Sequence, residues 1–237
     1  MKRFYKRVST SAAPDGGYTV LLDDKPIKTP ARATLILPPK ALAEAIAGEW
    51  SGQGEAIDMH AMLLTRLAFA AIDTVSADRA RVAEQVLRFG RSDLLCYRAE
   101  APPELVARQT AAWDPLLDWL AEEHGARLLS GSGIAFIEQP ADAFLALEKA
   151  VWRHDDFALA GLHSAATITG SLVLALALSS GRVSAAEALA LAMLDEDFQA
   201  EKWGRDAEAE AHRARLLSEL SAAERWLRLL DTPSPPL

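Results

Sequence analysis

The feature that most limits what this chain can fold into is an uncharged run of 22 residues, FALAGLHSAATITGSLVLALAL, at positions 157–178. A helix of that length is long enough to cross a bilayer. The first half of the run, however, is mostly alanine, glycine, serine and threonine, and it contains His163. We therefore expect a helix buried on all sides by other helices, with small residues that let its neighbours approach closely. Membrane association through this run is the alternative, and we expect no stable insertion.

The residue pattern changes near position 40. Before it, RFYKRVS, GYTVLL and ATLILP are rich in β-branched and aromatic residues, and turn residues separate them, including Asp23 and Asp24. These runs predict a small meander of short strands. After it, Leu42, Ile46 and Trp50 recur at the spacing of a helix.

Helical patterns fill most of the remaining chain. We expect helices at 61–75, 77–90, 104–123, 141–153, 156–179, 184–203 and 206–230. The predicted fold class is therefore α+β, with a small β-rich N-terminal domain at 1–58 and a larger, mainly α-helical domain at 59–237. The last residues, DTPSPPL, are expected to form a disordered tail.

Two motifs mark expected helix starts. Ser184 with Glu187, and Ser221 with Glu224, fit the S-x-x-E capping box, in which each side chain binds a free backbone N–H of a first helical turn. We therefore expect helices to begin near both serines.

Two further signals concern the middle of the chain. Asp114 followed by Pro115 is a favourable start of a helix, so it predicts a kink or a new helix near Trp113. The segment RLLSGSGIAFIEQ places glycine and serine between two apolar runs, which predicts an inserted hairpin.

Charge, cysteine content and missing motifs argue against several classes of protein. A net charge of −8 argues against a protein that holds phosphate backbones through its overall field, so we expect no nucleic-acid partner. The single cysteine, Cys96, permits no intrachain disulfide and no thiolate metal cage, and its setting indicates a packed core side chain. The sequence contains no Walker loop, H-E-x-x-H or G-x-S-x-G motif, and its five histidines show no ligand spacing. We expect no cofactor and no metal.

The segment DEDFQAEKWGRDAEAE, residues 195–210, combines two large aromatics with seven carboxylates and only two basic residues. If residues 184–203 form one helix, Phe198 and Glu201 lie on its buried face. Trp203 then lies among polar neighbours on the opposite side.

Three interpretations of this segment are open at the level of residue pattern. Taken singly, Trp203 can anchor the next helix, and the carboxylates can form a solvated face in which Glu201 pairs with Arg205. Aromatics beside carboxylates at a helix end also favour docking of a basic, partly apolar protein surface. The third interpretation is a metal-independent hydrolase that uses a pair of carboxylates from 195–208, with His212.

Six motifs spread along the chain resemble one protein family. In chain order they are RFYKRV, LDDKPIKTPAR, LAEAIAGEW, DLLCYRAE, WDPLLDW and the acidic aromatic segment. In this order they closely resemble the ATP synthase F(1)-complex assembly chaperone family of the assembly-factor-two type, from about residue 2 to about residue 230. The resemblance implies a protein that is not an enzyme and that holds the unassembled alpha subunit of the catalytic head. It would cover the apolar beta-facing interface of alpha against aggregation and be displaced when beta binds.

The resemblance also implies which residues meet the partner. The acidic motif and the GEW motif carry the candidates Glu201, Trp203, Asp206, Glu196, Asp195, Glu49 and Trp50. Because Trp50 continues the apolar stripe of Leu42 and Ile46, we expect Trp50 to be structural and Glu201 to be functional.

The resemblance and the N-terminal residues together suggest a location. The start, MKRFYKRVS, has no apolar signal region and is too short for an amphipathic transit helix. We therefore expect a bacterial-type, cytoplasmic member of the family, whose eukaryotic relatives belong in the mitochondrial matrix. We expect the free protein to be monomeric.

Overall fold

The structure, a computed structural model, describes residues 1–14, 16–204 and 206–231 and divides into two compact units. The first unit contains Met1–Arg79, Asp156–Gly161 and the described residues from Arg225 onward, and the second contains Ala80–Asp155 and Leu162–Glu224. The boundary at residue 58 stays a prediction, because compact units are not by themselves independently folding domains. Arg205 and the proline-rich residues 232–237 lie outside the described residues, and so does the expected Glu201–Arg205 pair.

Helices account for most of the described chain. In chain order they are α1 (Lys40–Ser51), α2 (Leu63–Ala70), α3 (Arg79–Arg91), α4 (Pro103–His124), α5 (Ala141–Trp152), α6 (Asp156–Thr169), α7 (Leu172–Ser179), α8 (Ala185–Ala192), α9 (Leu194–Trp203) and α10 (Ala207–Leu230). A π-helical turn, Ala71–Val75, continues α2, and a short 3-10 helix covers Leu94–Cys96. The predicted α+β class is confirmed.

The first unit is built on a three-stranded antiparallel sheet. Strands β1 (Val8–Ala12), β2 (Tyr18–Leu22) and β3 (Lys25–Pro26) are adjacent in that order. Between β2 and β3, Asp23 and Asp24 have φ values of 48° and 70°, which is the backbone of a tight hairpin turn. The predicted meander is confirmed.

Two details of the predicted sheet are wrong. The first strand begins at Val8 and leaves most of RFYKRVS outside it. The ATLILP segment contributes isolated bridges, at Thr34 and Leu37, instead of a strand. Helix α1 packs on β1 and β2 and buries Leu42 and Ile46, as the stripe predicts.

Gly161 brings α6 close to the end of α10 within the first unit. A Cβ atom added at Gly161 would lie 2.8 Å from Cδ1 of Trp226 and 3.0 Å from Cγ of Leu227. Trp226 is fully buried, is stacked on Phe157, and donates a hydrogen bond from Nε1 to the Phe157 carbonyl. The expected close approach at small residues of the uncharged run is confirmed here.

The uncharged run forms two helices, so the prediction of one helix over 156–179 is wrong. Gly170 has a left-handed φ of 68° and ends α6, and Ser171 begins α7 by accepting a hydrogen bond from the Leu174 N–H. Every residue from Ser171 to Leu178 is buried, as expected for a helix surrounded by others. Among the described residues, no helix is both long enough and apolar enough to cross a bilayer.

The second predicted long helix, 184–203, is also divided. The capping box at Ser184 and Glu187 is present and starts α8. Met193, with φ −103° and ψ 23°, then separates α8 from α9. The sequence has no glycine or proline at this break, and for that reason the pattern suggested a single helix.

The capping box expected at Ser221 is wrong. Ser221 lies inside α10, which begins at Ala207 and runs without interruption to Leu230. The Glu224 carboxylate instead accepts a hydrogen bond from the Ala185 N–H at 3.1 Å and so helps to cap α8.

The middle of the chain also differs from the prediction. Helix α4 continues through Pro115, and the Asp114 carboxylate accepts a hydrogen bond from Arg98 at 2.6 Å. The hairpin does not form in the RLLSGSGIAFIEQ segment. There, strand β5 (Gly131–Ser132) pairs in parallel with β4 (Tyr97–Arg98).

Candidate docking groove

A groove of about 690 Å³ lies in the second unit between the end of α6, helix α9 and the start of α10. Of the seven candidate residues, Glu196, Trp203 and Asp206 line it, and Asp197 and Arg213 line it as well. The structure thus brings together three of the residues that the sequence singles out. The other four lie elsewhere.

Helix α9 has two faces with different neighbours. Its contacts with α4 involve Asp195, Phe198 and Glu201, which follow one another at three-residue spacing. The opposite face, with Glu196 and Trp203, lines the groove. The carboxylates of one sequence motif therefore divide into two sets with different surroundings.

The face toward α4 is held by polar contacts. The Asp195 carboxylate accepts a hydrogen bond from Gln109 Nε2 at 2.7 Å, and the Glu201 carboxylate pairs with Arg108 at 2.7 Å. The hydrogen bond to Glu201 raises the pKa of the Arg108 guanidinium above its ordinary value. Arg108 also lies over the buried Phe198 ring, 5.1 Å from its centre. These contacts join α9 to α4.

The prediction that Glu201 lies on a buried face is wrong. Its side chain is about half exposed, with 55% of its surface accessible. Phe198, three residues earlier, is buried as expected. The prediction assumed a single helix over 184–203, which placed Glu201 on the wrong face. The actual partner, Arg108, is 93 positions away in sequence, so no spacing within the segment could indicate it.

Charges around the groove are only partly paired within the unit. The Asp197 carboxylate accepts a hydrogen bond from Arg213 at 2.6 Å, and Asp206 caps α10 through the Ala209 N–H at 2.7 Å. Glu196 is exposed. Trp203 is 78% exposed, which is unusual for so large an apolar side chain. Sequence reasoning did not single out Arg213, since its contact with Asp197 joins two separate helices.

Glu49 and Trp50 lie in the first unit and have packing roles there. The Glu49 carboxylate accepts hydrogen bonds from the N–H groups of Leu64 and Thr65 at 2.8 Å each and from the Thr65 hydroxyl at 2.7 Å. It therefore caps α2, whose own N-cap residue makes no side-chain bond. Trp50 is only 5% exposed and its carbonyl accepts a hydrogen bond from the Tyr5 hydroxyl.

The residues of the alternative interpretation, a hydrolase, meet at the same groove, because His212 lines it together with Glu196, Asp197 and Asp206. His212, the expected partner of a catalytic carboxylate pair, accepts a hydrogen bond on Nδ1 from Arg215 at 2.7 Å. Within the described ranges, no three histidine, cysteine, aspartate or glutamate side chains are close enough together to hold a metal ion. An exposed tryptophan beside carboxylates is instead typical of a contact residue with a charged rim.

Comparisons with known proteins show which proteins the chain as a whole is similar to. The Atu1473 protein of Agrobacterium tumefaciens is 44% identical, with 97% of this chain and 86% of that one covered and a TM-score of 0.94. Atp12 from Paracoccus denitrificans is 44% identical, with 96% and 97% covered and a TM-score of 0.91. The sequence profile of the ATP12 chaperone protein family matches residues 2–121, which is half of the chain.

The chain belongs to the ATP12 chaperone protein family. The family comprises assembly chaperones of the F1 ATP synthase, so the resemblance seen in the motifs is confirmed. Protein atp12 of Schizosaccharomyces pombe, described as mitochondrial, is 25% identical over 215 residues, which is 86% of this chain and 74% of the relative.

Proposed function

We propose that this ATP12-family protein binds the unassembled alpha subunit of the F-type ATP synthase catalytic head. It covers the beta-facing interface of alpha, keeps that apolar surface from aggregating, and leaves when beta binds. It does so without catalysing a reaction and without a cofactor. We propose that it is monomeric when free and that it acts in a bacterial cytoplasm, the compartment corresponding to the mitochondrial matrix of eukaryotic relatives.

The observation that carries the proposed site is the exposed Trp203 at the edge of the α9–α10 groove. A tryptophan supplies a large, rigid contact area, and such residues often dominate the binding energy of an interface. Glu196 and Asp206 line the same groove and give it acidic character. The proposed partner surface is therefore apolar with basic residues at its edge.

The other candidates have supporting roles in the proposal. Asp195 and Glu201 fix α9 against α4 and so hold Trp203 and Glu196 in place. Replacing Glu201 would disturb that packing, and a loss of binding could not then be assigned to lost contact. Glu196 and Trp203 are better positions for a test.

Binding of purified alpha subunit to the full-length chain tests the proposal. We expect Trp203→Ala to raise the Kd at least about thirtyfold, which corresponds to about 2 kcal/mol at a central contact residue. Glu196→Lys should also weaken binding. Glu122→Lys, which makes the same charge change at an exposed position of α4, is the matched control and should bind as the wild type does.

Two results of this experiment have different meanings. If the wild-type chain neither binds alpha nor lowers the light scattering of aggregating alpha, the proposed function is wrong. If it binds alpha but the Trp203 and Glu196 variants bind equally well, the function stands and the groove is not the site.

A further inference from the structure

A second groove, of about 660 Å³, lies in the first unit and is separate from the proposed docking groove. Its lining includes the buried side chains of Leu22, Ile27 and Trp50. Phe4 also lines the groove and is 64% exposed. Grooves of this size with a mostly apolar lining are typical binding sites.

The edge of this groove is positively charged, although the chain as a whole has a net charge of −8. Lys25 and Lys28 line it, are exposed, and have no ion-pair partner in the described part of the chain. Asp23 also lines it, but its carboxylate accepts hydrogen bonds from the backbone N–H groups of Lys6 and Arg7, which lower its pKa. The Asp23 carboxylate therefore stays ionised, and the two lysines outnumber it, so the net charge at this edge is positive.

Trp50 adds a hydrogen-bond donor without an acceptor. Its Nε1 exposes less than 1 Å² and has no hydrogen-bond partner among residues 1–14, 16–204 and 206–231. A buried N–H group without an acceptor destabilises the folded chain, because the group has lost its hydrogen bond to water. Because the nitrogen is covered, a side chain of the groove wall must shift before an acceptor can reach it.

We propose that this groove binds an apolar, acidic segment of another polypeptide. Apolar side chains of the segment pack on Leu22, Ile27 and Trp50, and its carboxylates meet Lys25 and Lys28. A carbonyl of the segment accepts the hydrogen bond from Trp50 Nε1. This site rests on the geometry of the first unit, and it stands whether or not the alpha subunit is the partner in the α9–α10 groove.

A polypeptide fits these features better than a small amphiphile. The two lysines and Phe4 are separate, exposed points at the groove edge, and a chain with several side chains can engage them together. A fatty acid carries only one carboxylate, whereas the groove edge offers two lysines. The chain also belongs to a family of chaperones, whose partners are proteins.

Nuclear magnetic resonance of the ¹⁵N-labelled full-length chain tests the proposal, with the indole N–H signal of Trp50 assigned from a Trp50→Phe variant. The probe is an acetylated ten-residue peptide of alternating leucine and glutamate. We expect this peptide to shift the Trp50 signal. Peptides of serine with glutamate, or of leucine with lysine, should bind at least tenfold more weakly.

Two variants of the chain examine the contacts without altering its core. Lys28→Glu and Phe4→Ser change exposed side chains, and each should raise the Kd of the leucine–glutamate peptide about tenfold or more. Lys40→Glu, at an exposed position of α1 outside the groove, is the matched charge control and should leave the Kd unchanged.

Three outcomes would overturn the proposal. The first is a Trp50 signal that the leucine–glutamate peptide does not move. The second is equal binding to the wild type and to Lys28→Glu. The third is a shift caused by decanoate but not by the peptide, which would make the groove a site for small amphiphiles.

Discussion

Asp93 lies in the second unit, and its carboxyl group is fully buried. It caps the N-terminal ends of two helical segments. It accepts hydrogen bonds from the Leu95 N–H in the 3-10 helix, and from the Ser171 hydroxyl and the Val173 N–H at the start of α7. The N–H groups at the start of α7 are buried and cannot be satisfied by bulk water. Asp93 supplies the acceptors that this buried helix start requires.

Burial makes Asp93 sensitive to pH. Loss of hydration raises its pKa to about 6 from an ordinary value of 3.8, and the hydrogen bonds to Ser171 and Val173 oppose this only in part. Because the folded pKa is the higher one, the folded state binds more protons between these values. The stabilising contribution of protonated Asp93 is complete below pH 3.8 and is lost as the pH rises through about 6.

We therefore predict that wild-type stability falls with rising pH relative to an Asp93→Asn variant. The difference between their free energies of unfolding should change by up to about 3 kcal/mol across this range, at 1.36 kcal/mol per pKa unit. Urea unfolding at several pH values from about 3.5 to 7.5 measures it. An Asp118→Asn variant, changed at an exposed position, serves as the control. A difference between the wild type and the Asp93→Asn variant that stays constant with pH would contradict the assignment.

Among the helices, the approach of α6 to the end of α10 depends on the absence of a side chain at Gly161. A methyl group there would meet the buried Trp226 ring, which is held by its stacking and its hydrogen bond to Phe157. Overpacking of this kind costs about 1–3 kcal/mol, and the better helix propensity of alanine offsets up to about 1 kcal/mol.

We predict that Gly161→Ala lowers the free energy of unfolding by about 1 kcal/mol, whereas Gly48→Ala raises it by about 0.5–1 kcal/mol. Gly48 lies in α1 with open space where its Cβ would be, so only helix propensity changes there. Denaturant unfolding of both variants measures the contrast. Equal effects at the two positions would show that the Gly161 contact is not tightly packed.

These elements also show what local sequence could and could not predict. The capping box at Ser184 and Glu187 was predictable, because its two residues are three positions apart. The caps supplied by Glu49, Asp93 and Glu224 were not, since each carboxylate reaches a helix start that is distant in sequence or belongs to another element. Spacing within a segment carries no information about such partners.

The same limit applies to the candidate docking site. The acidic aromatic motif drew attention to α9, but it gave no means of dividing the carboxylates between the two faces of this helix. That division depends on the break at Met193 and on Arg108 and Gln109 of α4, which only the folded chain brings into contact. Glu196 and Trp203 were distinguished from Glu201 by their surroundings in the structure.

At the scale of the whole molecule, charge is distributed unevenly. The net charge is −8, and the α9–α10 groove carries exposed Glu196 and Asp206, whereas the groove in the first unit has lysines at its edge. Surfaces of opposite sign on one chain favour different partner segments, because complementary charge promotes the correct encounter and like charge opposes the wrong one. The two proposed sites therefore call for partner segments of opposite charge.

This distribution leads to a prediction about rates. If a basic surface of alpha docks in the acidic groove, long-range attraction speeds the encounter, and salt weakens it over a screening length of about 10 Å at 0.1 M. We expect the association rate constant to fall about tenfold between roughly 50 and 500 mM salt, with a smaller change in dissociation. Stopped-flow or surface-based kinetics measures both constants. Glu196→Lys should flatten the salt dependence, whereas Glu122→Lys, with the same change in net charge, should not. Equal flattening by the two variants would mean that the charge of the whole chain, and not the groove, guides the encounter.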